Sequence, residues 1–173
     1  MTGDPLQETT DFGHMIDKLS VSKVLSYINQ VPKSKLWHSP IKARELNHNL
    51  LYIPPTLVEN ISDDSIVAQE EIFGPVLTIL DPYNELSETM PRVNNSIYGL
   101  AAGIFTNQAH ELELFSEGVD AGIIWHNTWN ICPPSVPFKG FKQSGLGSGE
   151  LGREAILGFS KHTRIVVSDE YTN

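Results

Sequence analysis

The stretch LAAGIFTNQAHELELFSEGVDAGIIW, residues 100–125, sets the fold class of this chain. Residues 100–105 and 121–125 are short apolar runs typical of strands, and residues 108–117 between them carry Leu112 and Phe115 at helical spacing before Gly118. A strand, a helix and a strand joined by short loops predict a parallel crossover. The chain is therefore predicted to be α/β, with helices covering the faces of a mostly parallel sheet.

The rest of the chain extends this alternation. A helix is predicted over residues 20–30, where Val21, Val24, Leu25 and Ile28 form one apolar face. Tandem prolines should end a strand over residues 50–53, and a buried strand follows over 76–80. In a helix over 84–95, Pro91 predicts a kink or a late start. Residues 32–50 indicate loops and a weak strand. An irregular glycine-rich loop over 140–152, a helix over 150–159 and a strand over 163–167 complete the pattern.

Composition limits the partners that the chain can have. With 173 residues, 40% hydrophobic and 19% charged, it should fold into a compact core. Acidic residues outnumber basic ones by 21 to 12, and no local basic patch offsets the net charge of −9, so nucleic acids and anionic membranes are not expected partners. No apolar run approaches the length of a membrane span, and no signal peptide is visible, so a cytoplasmic protein is expected.

Cysteine and histidine usage argues against a disulfide and against a metal site. Cys132 is the single cysteine, and the six histidines form none of the paired spacings that metals use. Cys132 could be a nucleophile if a neighbouring base lowered its pKa. However, Pro133 has no N–H to offer an oxyanion, so a structural cysteine is the favoured interpretation.

Residues 147–152, GSGELG, match the glycine pattern of a dinucleotide-binding loop. Such a loop opens directly from a buried strand, whereas the preceding residues here are KGFKQS, 139–144. The pattern is therefore interpreted as a loop without a phosphate-binding role.

The segment EEIFGP, residues 70–75, places two carboxylates and an aromatic ring before a predicted strand. A carboxylate can accept two hydrogen bonds from a ribose diol, and a neighbouring aromatic ring can pack against a flat heterocycle. The same pattern fits a solvated acidic pair beside a core phenylalanine. Composition and spacing leave both interpretations open.

Several segments together resemble the aldehyde dehydrogenase family. They occur in the family's order and spacing: EEIFGPV (70–76), NNSIYGLAA (94–102), WHN (125–127), PF (137–138) and KQSG (142–145). GDPL (3–6) and the helix after it are similar to the segment that follows the family's nucleophile. The resemblance covers nearly the whole chain and is weakest over residues 32–49.

The resemblance implies a reaction and a set of site residues. In the family, a cysteine thiolate attacks an aldehyde, a hydride passes to NAD or NADP, and water hydrolyses the thioester. Glu71 would hold the nicotinamide ribose and Phe73 would pack beside the nicotinamide. Phe138 would line the aldehyde tunnel, and the loop 127–136 with Asn127 and Trp129 would shape its mouth. Glu150 lies near a family carboxylate that is buried or relays protons.

The resemblance also implies an organisation and an assembly. Residues 1–160 would form the C-terminal part of the catalytic domain, and residues 161–173 an oligomerisation strand and tail that makes a homo-oligomer. The two indoles in residues 125–129 could receive a quaternary ammonium group, as in betaine aldehyde.

The chain departs from the family pattern in ways that bear on activity. The family's nucleophile, general base and phosphate-binding loop are expected before residue 1, so no catalytic residue is assigned and the chain is expected to be inactive alone. Lys139 replaces a usual glycine, and Ser148-Gly149 stand where an arginine is usual. The alternatives are an assembly module that pairs with itself or a full-length relative, and a truncated product without a function of its own.

Overall fold

A computed structural model describes residues 3–38, 51–147 and 149–166. The chain divides into two compact units, Met1–Tyr83 and Asn84–Asn173, each with a core of its own. Both units contain a parallel strand pair, which confirms the predicted α/β class. Among the described residues, no helix is both long and apolar enough to cross a membrane.

The first unit packs helices against a three-stranded sheet. Helix α1, Lys18–Ile28, begins after Asp17, whose side chain accepts a hydrogen bond from the Ser20 N–H. A 3₁₀ turn, Lys33–Lys35, leads into β1, Leu36–His38; β2 is Thr56–Glu59, α2 is Ile66–Gln69 and β3 is Val76–Ile79. Strand β2 lies in the centre, antiparallel to β1 and parallel to β3.

Three predictions for this unit need correction. The buried face of α1 contains Tyr27 in place of Leu25, which is 41% exposed. The described residues 51–53 of the predicted strand are not in a strand. Strand β2 begins instead after the two prolines, at Thr56, whose N–H donates to the Pro75 carbonyl. Strand β3 was predicted to be buried, yet its Leu77 is 60% exposed. In the sheet, Trp37, Leu57 and Leu77 are in register and share one face, and the opposite face carries the buried Val58.

The second unit contains the predicted crossover. Its elements are α3, Leu86–Asn94; β4, Tyr98–Gly99; β5, Ala101–Ile104; α4, Ala109–Gly118; β6, Ile123–His126; β7, Phe141–Lys142; and α5, Gly152–Gly158. Strands β5 and β6 are parallel neighbours, and β4 pairs antiparallel with β7. Buried Leu86, Met90, Ile104 and Phe115 form the core between α3, α4 and β5.

Pro91 lies inside α3, which begins at Leu86. The prediction of a start late enough to leave Pro91 outside the helix interior is therefore wrong.

The predicted glycine-rich loop, residues 140–152, lies in the part of the chain after β6. A Cβ at Gly140 would lie 2.4 Å from the Ser144 carbonyl oxygen, which confirms the predicted close backbone approach within this loop, and a Cβ at Gly122 would lie 1.4 Å from the Lys139 carbonyl oxygen just before it. The loop is not irregular throughout, because β7 lies inside it and pairs with β4. The predicted strand over residues 163–167 is wrong for its described part, since residues 163–166 form no strand. A strand needs a hydrogen-bonding partner, and the side chains of Ile165 and Val166 are 82% and 95% exposed.

Candidate cofactor and substrate site

The predicted cofactor residues lie on the loop that connects α2 to β3. Ile72 is buried in the first core, whereas Glu71 on one side of it is exposed and Phe73 on the other side is 66% exposed. The backbone of Phe73 has a left-handed φ of 55°, which is uncommon for a bulky residue. The buried isoleucine therefore anchors a loop that presents a carboxylate and an aromatic ring to the surface.

Helix α1 contacts this loop at three points. The Tyr27 hydroxyl donates a 2.6 Å hydrogen bond to the Glu70 carboxylate, and the Lys23 ammonium lies 5.1 Å from the centre of the Phe73 ring. A Cβ at Gly74 would lie 2.6 Å from Val24, so only glycine allows the loop to pass this close to α1. Sequence reasoning missed these supporting residues, although Lys23 and Tyr27 are spaced i, i+4 on the helix and so share a face.

The predicted substrate residues lie in the second unit. Asn127 directly follows β6 and has a left-handed φ of 53°. Its side-chain amide accepts from the Thr106 N–H at 2.9 Å and donates to the Thr106 carbonyl at 2.8 Å, and His126 Nε2 lies 3.0 Å from the same carbonyl oxygen. Asn127 thus ties the end of β6 to the residues just after β5.

Trp129 packs against Trp125 of β6. The ring centroids lie 4.7 Å apart at an interplanar angle of 59°. Trp125 is 7% exposed and donates from its indole nitrogen to the Ile131 carbonyl at 2.8 Å, while Trp129 is 61% exposed. The buried indole therefore supports one whose ring remains accessible.

Phe138 lies at the start of the glycine-rich loop, half-buried, and pairs with Glu150. The Phe138 N–H donates to the Glu150 carbonyl at 2.6 Å, and the Glu150 N–H donates back at 2.8 Å. A cavity of about 390 Å³ lies beside this bridge, lined by Phe138, Glu150, Leu100, Lys139, Gly140, Ser144, Gly145, Leu146, Gly147 and Gly149. The Glu150 carboxylate belongs to an exposed residue, so the structure supports neither burial nor a closed proton relay for it.

The structure brings the predicted residues together in separate groups. Glu71 and Phe73 share one loop of the first unit, and Asn127 and Trp129 share one loop of the second. Cys132 is exposed in the segment after Trp129. The GSGELG segment leads into a helix of only seven residues, so its glycines do not open a long helix.

Motif residues that were not assigned a role turn out to organise the second unit. Asn94 accepts from the Asp120 N–H at 2.9 Å and donates to the Gly118 carbonyl at 2.7 Å, joining the ends of α3 and α4. Lys142 forms a 3.0 Å salt bridge with Asp120, and Ser144 Oγ accepts from the Gly99 N–H at 2.9 Å. The asparagine, lysine and serine of the NNSIYG and KQSG segments therefore join the ends of α3 and α4 to the β4–β7 pair.

Comparison with known proteins identifies the family of the chain that carries these loops. The model of the aldehyde dehydrogenase family matches residues 1–165. The chain belongs to the aldehyde dehydrogenase family. This membership confirms the resemblance drawn from the EEIFGPV, NNSIYGLAA, WHN, PF and KQSG segments.

Individual relatives agree in sequence and in structure. The betaine aldehyde dehydrogenase of Agrobacterium fabrum is 37% identical over 171 residues, which cover 96% of this chain and 34% of the relative. The structure of betaine aldehyde dehydrogenase from Staphylococcus aureus in complex with NAD+ has a TM-score of 0.80 at 27% identity, covering 91% of this chain and 32% of that one. An NAD-dependent aldehyde dehydrogenase from Sinorhizobium meliloti has a TM-score of 0.80 at 31% identity, covering 92% and 31%. The chain thus spans about a third of the length of these relatives.

Proposed function

We propose that this chain provides the nicotinamide-ribose contacts and the substrate mouth of an oxidoreductase that converts an aldehyde to a carboxylic acid with NAD+ or NADP+. The observation that carries the proposal is the loop that presents Glu71 and Phe73 around the buried Ile72. Family membership supports it, as does the relative from S. aureus whose structure contains NAD+.

The residues of this loop fit the chemistry of such a cofactor. The exposed carboxylate of Glu71 can accept two hydrogen bonds from a ribose diol, and the exposed ring of Phe73 offers a flat apolar surface for nicotinamide. When bound, the cofactor accepts the hydride of the oxidation. The role of the chain's own residues is to orient the ribose and the ring.

Binding of nicotinamide riboside, followed by saturation-transfer NMR, tests this proposal. This probe contains the ribose and the nicotinamide but no phosphate, so it reports on Glu71 and Phe73 directly. Glu71→Gln and Phe73→Leu should each weaken binding, whereas Glu59→Gln, an exposed carboxylate on β2, should not. Absence of transfer with the unsubstituted chain, or an equal loss in the Glu59 variant, would refute the cofactor role.

We further propose that Asn127, Trp129 and Phe138 shape the aldehyde entrance, and that the aldehyde carries a quaternary ammonium group. The accessible indole of Trp129 offers the aromatic face that attracts such a cation, and the relative from A. fabrum is a betaine aldehyde dehydrogenase. Choline and its uncharged isostere 3,3-dimethylbutanol form a matched pair of probes. Tryptophan fluorescence should respond to choline more than to the isostere, and the difference should disappear in Trp129→Leu.

We propose that the 173-residue chain does not oxidise aldehydes alone. Its single cysteine, Cys132, is exposed and is followed by Pro133, which has no N–H to stabilise an oxyanion. The purified chain with NAD+ and betaine aldehyde should show no increase in absorbance at 340 nm. Oxidation that is measurable and is lost in Cys132→Ala would overturn this.

An assembly role is the second candidate. The described part of the proposed tail, residues 161–173, contains Ile165 and Val166, both almost fully exposed, and Phe159 just before it is 98% exposed. We propose that this tail pairs with a second copy or with a longer relative, separately from residues 1–160. Size-exclusion chromatography with light scattering should show a dimer or larger species that dissociates in Ile165→Asp. A clean monomer would contradict the proposal.

A further inference from the structure

Helix α1 presents a charged and a phenolic side chain to the loop that carries Glu71 and Phe73. Lys23 and Tyr27 are four residues apart and therefore lie on one face of the helix. Val24 lies beside them and is 1% exposed, in the closest contact with Gly74. Contacts with α1 thus hold the loop at Glu70, Phe73 and Gly74.

The contact between Tyr27 and Glu70 determines the direction of the next side chain. Tyr27 is 7% exposed, and its hydroxyl donates to the Glu70 carboxylate over 2.6 Å. Glu70 has an extended backbone, with φ −108° and ψ 149°. Because successive side chains of an extended backbone point to opposite sides, a Glu70 held towards α1 directs Glu71 away from the helix.

The contact between Lys23 and Phe73 fixes the ring. The ammonium lies 5.1 Å from the ring centre, within the range of a cation–π interaction, while the ring as a whole is 66% exposed. The left-handed backbone of Phe73 persists only where surrounding contacts hold it. Lys23 therefore covers part of the ring and leaves the rest open.

We infer that Lys23 and Tyr27 are positioning residues for the nicotinamide ribose: Tyr27 orients Glu71 through Glu70, and Lys23 holds Phe73 so that its open surface receives the nicotinamide. This inference rests on the proposed cofactor role of Glu71 and Phe73. Neither Lys23 nor Tyr27 needs to touch the cofactor.

The first experiment measures the ring contact without any ligand. In a double-mutant cycle of Lys23→Met and Phe73→Leu, followed by denaturant unfolding, coupling should change the unfolding equilibrium constant by about two- to fivefold. Lys18→Met, at the other end of the exposed surface of α1, should show no coupling with Phe73→Leu. Zero coupling between Lys23 and Phe73 would overturn the role of Lys23.

The second experiment measures nicotinamide riboside binding by NMR. Tyr27→Phe should raise the dissociation constant about three- to tenfold and Lys23→Met about two- to fivefold, and Lys23→Arg should restore the affinity. Tyr83→Phe, which alters an exposed tyrosine, and Lys18→Met should leave it unchanged. Equal affinity in the Tyr27→Phe and unsubstituted chains would overturn the role of Tyr27.

The two experiments separate this inference from the proposed function. If the unsubstituted chain binds no riboside, the cofactor role fails and the inference falls with it, even where the double-mutant cycle still shows that α1 holds the loop. If riboside binds and depends on Glu71 but not on Lys23 or Tyr27, the cofactor role stands and the inference is wrong.

Discussion

The side-chain amide of Asn127 forms two hydrogen bonds with the backbone of Thr106, accepting from the N–H at 2.9 Å and donating to the carbonyl at 2.8 Å. Thr106 follows β5 and Asn127 follows β6, so the amide joins the carboxyl ends of two neighbouring parallel strands. In parallel sheets this end is where loops form binding sites. Asn127 therefore holds the shape of the loops at this end of the strand pair, where we propose the substrate mouth.

Asn127→Ala should destabilise the second unit more than Asn130→Ala. Both residues have a left-handed φ, 53° and 55°, so alanine meets the same backbone penalty at each. Only Asn127 also loses two hydrogen bonds, which should add about 1–2 kcal/mol to the loss in unfolding free energy. Denaturant unfolding measures the difference, and equal losses would show that the Thr106 contact contributes nothing.

Gly122→Ala should be strongly destabilising. Its Cβ would lie 1.4 Å from the Lys139 carbonyl oxygen, so one backbone segment must move, at a cost of about 3 kcal/mol or more. Gly147→Ala is the comparison, because Gly147 has a φ of 89° and nothing within 4 Å of its Cβ position. That variant should lose only about 1–2 kcal/mol of unfolding free energy from backbone strain. A Gly122 variant as stable as the Gly147 variant would contradict the close approach.

Pro91→Ala should stabilise helix α3. Pro91 lies inside the helix and cannot donate to the preceding turn, a defect that costs up to about 3 kcal/mol. Part of the gain is offset because alanine makes the unfolded chain more flexible, so an increase of about 1–2 kcal/mol is expected. Pro134→Ala, outside any helix, should not raise the melting temperature. A lower melting temperature in Pro91→Ala would show that the proline is structurally required.

The stability of α1 should depend on pH through Asp17. The Ser20 backbone N–H, which donates to the Asp17 carboxylate at 2.7 Å, lowers the pKa of Asp17 below its ordinary value. A lowered folded-state pKa means that the stabilisation is complete above the unfolded-state pKa and is lost as pH falls through the folded-state pKa. Asp17→Asn keeps the capping oxygen but cannot titrate. The melting temperature of the unsubstituted chain should therefore fall relative to this variant below about pH 4, and parallel curves would exclude the mechanism.

The crossover of the second unit could be predicted because its signals are local. Apolar runs and the spacing of Leu112 and Phe115 depend on neighbours within a few residues, and β5, α4 and β6 lie within two residues of the predicted bounds. Strand β2 was missed because the prolines before Thr56 were interpreted only as the end of a strand, although they also precede one. The exposure of Leu77 depends on which elements pack against that face of the sheet, and the apolar pattern of a single strand carries no information about them.

The candidate site divides in the same way. The composition of residues 70–75 indicated a carboxylate beside an aromatic ring, but it could not reveal the support from α1, because Tyr27 and Glu70 are 43 residues apart in sequence. The prediction of a strand over residues 163–167 was wrong because it, too, depends on a distant partner. β-Branched residues favour a strand only where a partner completes the ladder, and none of the described residues pairs with residues 163–166.

The indole pair gives the chain an internal optical reporter. Trp125 and Trp129 lie 4.7 Å apart in the second unit, close enough for their electronic transitions to couple, whereas the third tryptophan, Trp37, is in the first unit. Far-ultraviolet circular dichroism should contain an exciton signal from the pair alone, which either Trp125→Phe or Trp129→Phe would abolish. Melting followed by that signal would describe the second unit, while emission from Trp37 in a Trp125→Phe/Trp129→Phe chain would describe the first. The unsubstituted chain and this double variant together allow the unfolding of each unit to be followed separately, without an extrinsic dye.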